Sequence, residues 1–146
     1  MEDGNFNGVA VSPDGLTVYV SDGGGASANS RNPYSARSIT SFNLLSRGGK
    51  VLPVPQSERL FSNPVAYFYD GVVSREGNIF AGAGEGIDVL GPESGNTLGT
   101  IRVGGGKAHA ITLALGDHEA WIVGRGGAFG KFQILRLDWI DVGKSK

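Results

Sequence analysis

FNGVAVSPDGLTVYVSD, residues 6–22, holds two runs of alternating residues on either side of a Pro-Asp-Gly turn. Val9 and Val11 alternate with Gly8, Ala10 and Ser12; beyond the turn, Leu16, Val18 and Val20 alternate with Thr17, Tyr19 and Ser21. A period of two with β-branched residues predicts strands, and Pro13-Asp14-Gly15 carries the chemistry of a tight reversal. The stretch is an antiparallel hairpin, with an Asn-Gly pair, Asn7-Gly8, at its start.

Working outward, residues 22–37 turn to Gly, Ser, Asn and Pro, a long loop. SITSFNLL (38–45) predicts a third strand, followed by a turn at Ser46-Arg47-Gly48-Gly49. KVLPVPQSERLFS holds two prolines, which limits any strand there to a short one at a sheet edge. The first pattern then returns. Asp70-Gly71-Val72-Val73 leads through Ser74-Arg75-Glu76-Gly77-Asn78 into Ile79-Phe80-Ala81-Gly82, and GIDVLGPESGNTLGTIRV continues as strand, turn, strand. A weaker third copy runs through HAITLAL, EAWIVG and KFQILRLDWI. Overlaying the first two copies places Asn7-Gly8 on Asp70-Gly71 and Ser12-Pro13-Asp14-Gly15 on Ser74-Arg75-Glu76-Gly77. Repeated units of about four short antiparallel strands predict an all-β chain of about three propeller blades, over 6–62, 63–103 and 104–140.

Composition narrows the partners. With 13 basic and 14 acidic residues, the net charge of −1 provides no field for a phosphate backbone, which argues against nucleic-acid binding. No apolar run approaches the roughly 20 residues that span a bilayer, so no membrane partner is expected. The start, MEDGNFNG, is acidic, the opposite of a secretion signal, and a soluble chain is expected. The lack of cysteine removes disulfides and thiolate chemistry without fixing the compartment. Twenty-five glycines favour many tight turns and short strands.

NGVAVSPDGLTVYVSD together with YDGVVSREGNIFAGAGEGIDVLGPESGNTLGTIRV resembles the SMP-30/gluconolactonase/luciferin-regenerating family, in particular its fungal lactonase-like branch, from about Phe6 to Val103. The resemblance implies part of a six-bladed β-propeller with one divalent cation on its axis, most simply Ca²⁺, with Mg²⁺ or Zn²⁺ as alternatives, and a small-molecule sugar lactone as substrate. It also implies that the chain corresponds to the C-terminal half of such an enzyme, or to a half-ring that closes by self-association.

The same resemblance makes Asn7 and Asp70 metal ligands. An amide carbonyl and a carboxylate are hard oxygen donors, and both precede the first strand of a repeat. Asp70 is then also the catalytic base that deprotonates an attacking water, while the cation polarises the lactone carbonyl. Read alone, Asn-Gly and Asp-Gly are first of all turn dipeptides. The family usually has proline where this chain has Tyr69, which leaves the aim of Asp70 open and lets the ring narrow the channel. The family's further acidic ligand and lactone-contacting residues lie upstream of the matched region.

Other residues weigh less. His109 is a candidate for substrate contact or proton transfer, set against its reading as a surface or core residue. His118 reads as solvated, Gly84-Glu85-Gly86 as a turn, and Gly104-Gly105-Gly106-Lys107 as a connector without P-loop spacing. Ser12, Ser21 and Ser74 lack nucleophile-elbow patterns. Trp121, Phe129, Phe132 and Trp139 are expected to pack between sheets. The alternative to a lactonase is a non-catalytic propeller segment serving as a binding scaffold; a strictosidine-synthase-like propeller is a more distant one.

Overall fold

The computed structural model describes residues 6–22, 38–63, 69, 71–84, 86–103, 108–126 and 131–138. Among them every regular element is a β-strand, and all pairs are antiparallel. The first sheet contains β1 (Phe6–Val11), β2 (Thr17–Asp22), β3 (Ser38–Arg47), β4 (Lys50–Pro53) and β5 (Arg59–Ser62). The second runs in order through β6 (Val72–Arg75), β7 (Asn78–Ala83), β8 (Gly86–Leu90) and β9 (Thr97–Arg102). The third comprises β10 (Ala108–Leu115), β11 (Glu119–Gly126) and β12 (Lys131–Asp138).

Local chemistry explains the hairpins. In the first turn the Ser12 hydroxyl donates to Asp14 Oδ1 at 2.5 Å, and the Leu16 N–H donates to the same oxygen at 2.9 Å. These two donors hold the Asp14 carboxyl below its usual range. The Thr17 N–H returns to Ser12 Oγ at 2.9 Å, and Gly15 takes φ +73°. The turn overlaid on it from the sequence is built differently. Arg75 pairs directly with Asn78, leaving a two-residue loop in which Glu76 and Gly77 have φ of 49° and 87°. Positive φ at both positions matches the right-handed twist of the strands.

The first sheet also departs from the four-stranded expectation. β3 is long enough to serve two partners: Ile39, Thr40 and Ser41 pair with β5, and Leu44 to Arg47 pair with β4. The proline-rich segment does form two short edge strands, because proline cannot donate to a second ladder.

Two cores join the three sheets. Ala10, Tyr19, Ile39 and Phe61 of the first sheet pack against Tyr69, Val72, Ile79, Ala81 and Leu90. Tyr19 and Phe61 meet edge to face, with centroids 4.9 Å apart. Ile87 and Val103 then pack with Leu113, Ala120 and Ile122 of the third sheet, with Phe80 and Ile101 against them. The middle sheet is apolar on both faces because it is covered on both. β1 lies beside β6 and β6 beside β10, so the first strand of each sheet forms a continuous inner wall. This succession of face-packed antiparallel sheets, each with its first strand inward, is three blades of a β-propeller.

Burial in the opening hairpin falls on the less apolar of its two faces. The small and polar phase, Ala10, Tyr19 and Ser21, faces the second blade. Val9 and Val11 are 66% and 50% exposed on the other face. No helix among the described residues is long and apolar enough to cross a membrane.

Candidate functional site

The strand plan places two of the candidate residues and brackets the third. Asn7 is the second residue of β1, Asp70 precedes β6 by two residues, and His109 is the second residue of β10. Asn7 and His109 thus stand near the start of inner-wall strands, and Asp70 falls in the segment that leads into β6. Asn7 sits at a β-bulge: Phe6 pairs with Asp22 while Gly8 pairs with Ser21, so Asn7 is the extra residue. Bulges re-aim a side chain and often stand next to sites. Asn7 is exposed. A second register shift falls between Ala110 and Thr112 in β10, just beyond His109, which lies opposite Arg125 in the ladder. Neither bulge is signalled by its residue types.

Asp70 itself lies outside the described residues, but its neighbours on both sides are fixed. The Gly71 carbonyl accepts a hydrogen bond from the Gly82 N–H at 2.8 Å, which extends the β6–β7 ladder by one residue. Tyr69 is 1% exposed and belongs to the core between the first two blades. Its ring therefore fills the blade interface and does not narrow the channel, as the sequence had suggested it could. The phenol donates to Asp88 Oδ2 at 3.3 Å, and the Thr100 hydroxyl donates to Asp88 Oδ1 at 2.7 Å. Burial pushes the Tyr69 phenol above its ordinary value, and the Asp88 carboxylate adds to the rise. Tyr69 thus does by packing what proline does by ring closure: it holds the backbone ahead of Asp70. This Tyr69–Asp88–Thr100 chain is a feature that sequence reasoning missed, because Asp88 and Thr100 become neighbours only through the β8–β9 register.

The donor set can be tested against a cation. Asn7 offers a hard carbonyl oxygen, but no group of three or more His, Asp or Glu side chains comes together among the described residues. These residues do not by themselves make a cation site. Glu85, like Asp70, lies outside them, as does the Gly104–Lys107 connector.

A cleft of about 520 Å³ lies elsewhere, between the second and third blades. Its floor includes Ile87, Ile101 and Ala120, and Arg75, Asp117 and His118 stand on its rim. Arg75 is the last residue of β6, so the cleft opens at the opposite end of the inner wall from the candidate residues. Its charges are largely spent on each other: Arg75 pairs with Asp117 at 3.5 Å and Glu76 at 4.0 Å. His118 is exposed here, as expected for a solvated turn residue.

The remaining sequence candidates resolve as structural residues where they are described. Ser12 caps its turn, Ser21 is fully buried, and the Ser74 hydroxyl is buried without a hydrogen-bond partner among the described residues. Trp121 does not pack between sheets. It is 45% exposed, with the Arg136 guanidinium 5.4 Å from its ring centroid. Phe129 and Trp139 lie outside the described residues, as does the side chain of Phe132.

With this geometry in hand, the chain can be set beside known proteins. The blade succession is shared with a gluconolactonase from Xanthomonas campestris (TM-score 0.60, 26% identity), aligned over 83% of this chain and 35% of that one. It is shared equally with regucalcin from Agrobacterium tumefaciens strain C58, described as a calcium-binding protein (TM-score 0.61, 25% identity, 81% of this chain and 37% of that one). In sequence, Lactonohydrolase oryL of Aspergillus oryzae is 28% identical over 143 residues, 91% of this chain and 31% of the relative. No protein-family model matches the chain. Its relatives are thus of lactonase, gluconolactonase and regucalcin type at low identity, and the chain spans about a third of their length.

Proposed function

We propose that this chain supplies three blades of a metal-dependent hydrolase of sugar-type lactones, from the fungal lactonase-like branch and corresponding to its C-terminal half. The observation that carries the reading is the place of Asn7 at the start of an inner-wall strand, in a fold shared with a gluconolactonase and a calcium-binding regucalcin. By the overlay of the first two sequence repeats, Asp70 takes the corresponding place ahead of β6 on the adjacent blade. Asn7 and Asp70 would hold a divalent cation, Ca²⁺ by the hardness of their oxygens, with further donors coming from outside the described residues. The bound cation would supply Lewis acidity toward a lactone carbonyl. Asn7 orients, with its bulge setting the direction of its amide. Asp70 takes a proton from the attacking water, and Tyr69, locked in the blade interface, fixes the backbone from which Asp70 projects.

The test is a calcium titration of the chain by calorimetry, with Asp70→Asn and Asn7→Ala alongside, followed by pH-stat assay of gluconolactone opening. Saturable binding that Asp70→Asn abolishes and Asn7→Ala weakens is expected. Equal binding by wild type and Asp70→Asn would remove both residues from the site. No binding by any form would favour the non-catalytic scaffold reading of this chain.

A further inference from the structure

The cleft between the second and third blades has both of its walls in described strands and turns that pack on one another within the chain. One wall is the face of the middle sheet, where Phe80 of β7, Ile87 of β8 and Ile101 of β9 lie across three neighbouring strands. The other is the β10–β11 hairpin, in which Leu115 and Ala120 pair directly. Phe80, Ile101 and Leu115 are only half-buried, although they belong to a packed interface. Stacked sheets stand about 10 Å apart, and Ala120 fills little of that spacing. Apolar surface is left facing a slot of about 520 Å³, a volume that falls among small-molecule sites of about 300–1,000 Å³. Arg75 ties the two walls together at the mouth. Its guanidinium donates to the Asp117 carbonyl at 3.3 Å and pairs with the carboxylates of Asp117 and Glu76 at 3.5 and 4.0 Å.

We infer that this slot binds an uncharged aromatic small molecule of one or two rings, with its ring system on the apolar floor and a neutral polar group at the rim of Arg75 and Asn78. The inference goes beyond the lactonase reading and does not depend on it, since the cleft opens at the opposite end of the inner wall from Asn7. Shape selects a planar body: the space between two sheet faces is flat, and the Phe80 ring offers an offset or edge contact. Charge selects a neutral one. An anion would have to displace Asp117 and Glu76 from Arg75, and a cation would compete with Arg75 for those two carboxylates. A neutral group breaks no ion pair, and the Asn78 amide can donate to it or accept from it. Covering three half-buried apolar side chains supplies the driving force.

The probe is 2-naphthol, neutral at pH 7, with 2-naphthoate as its anionic counterpart, titrated by calorimetry and by naphthol fluorescence. Wild type should bind one equivalent of 2-naphthol, and 2-naphthoate at least about tenfold more weakly. Leu115→Trp puts an indole into the slot and Ile101→Gln makes its floor polar, so each should weaken 2-naphthol by about tenfold or more. Both side chains are half-buried, and circular dichroism should show native sheet in each variant. Val9→Lys, on an exposed face of the first blade, should bind as wild type does. No saturable binding by wild type overturns the inference, and so does undiminished binding by either Leu115→Trp or Ile101→Gln. A loss in Val9→Lys also overturns it, because the probe would then sit on the first blade's face. Tighter binding of 2-naphthoate than of 2-naphthol does the same, since Arg75 would then be receiving an anion.

Discussion

Replacing Tyr69 separates packing from hydrogen bonding at the residue that precedes Asp70. Its ring is 1% exposed between the first two blades, in one cluster with Ile39, Phe61, Val72, Ile79 and Leu90. Truncation to alanine removes that contact area and leaves a cavity bounded by two sheets that cannot easily collapse on it. Aromatic-to-alanine changes in such places cost about 3–5 kcal/mol. For a domain of this size each kcal/mol lowers Tm by roughly 3 °C, so Tyr69→Ala should melt roughly 10–15 °C below wild type. Tyr69→Phe keeps the ring and loses the phenol's hydrogen bonds, the one to Asp88 at 3.3 Å and those with Ser62 and Thr97, while the Asp88 carboxylate still accepts from Thr100 at 2.7 Å. With Asp88 still bonded and Ser62 and Thr97 not buried, that change should cost about 1 kcal/mol, or roughly 3 °C. Thermal melts followed by circular dichroism, with urea titrations to check the free energies, measure both. Equal losses for the two variants would refute the reasoning, since the phenol hydrogen bond would then carry the whole effect. So would an alanine variant within about 1 kcal/mol of wild type, a cost typical of sites that are not buried.

Two further outcomes follow from the same interface. Gly95 has φ +67°, and a Cβ there would overlap the Phe61 carbonyl across the first two blades. Gly95→Ala should therefore lose at least about 1–2 kcal/mol from the left-handed backbone alone, with the overlap adding to it; a urea midpoint unchanged from wild type would contradict the close approach. At alkaline pH, burial holds the Tyr69 and Tyr19 phenols above their ordinary value. The unfolded chain then gives up its phenol protons first, so stability is fully present below about pH 10 and falls as pH rises through the folded values. The urea midpoint from pH 8 to 11 should fall less steeply in Tyr69→Phe than in wild type, and equal slopes would remove Tyr69 from the linkage.

The resemblance brought Asn7 and Asp70 forward and the strand pattern His109; Asn7 and His109 fall near the start of β1 and β10, and Asp70 precedes β6 in the sequence. The supports around them were hidden. The bulge that sets Asn7 apart depends on which residues of β2 oppose it, and Val, Gly and Asn carry no mark of that pairing. Asp88 bonds Tyr69 and is itself met by Thr100 through a ladder register, and the register is a property of two strands together.

The sequence by itself determined the strands and their turns, because those are local matters. Alternation over residues 8–12 and 16–21 calls for extended chain, and Pro13-Asp14-Gly15, Gly48-Gly49 and Glu76-Gly77 supply the reversals that extended chain needs. Only the tertiary structure decided which face of each strand is inside. Val9, Val18 and Val20 are more apolar than Ala10, Tyr19 and Ser21, yet the latter set is buried, because a propeller blade is covered on whichever side its neighbour stands. In the same way β3 was readable as a strand, but its division between β4 and β5 was not. Hydrophobicity specifies that a face be covered; the partner that covers it is fixed only when the blades stack.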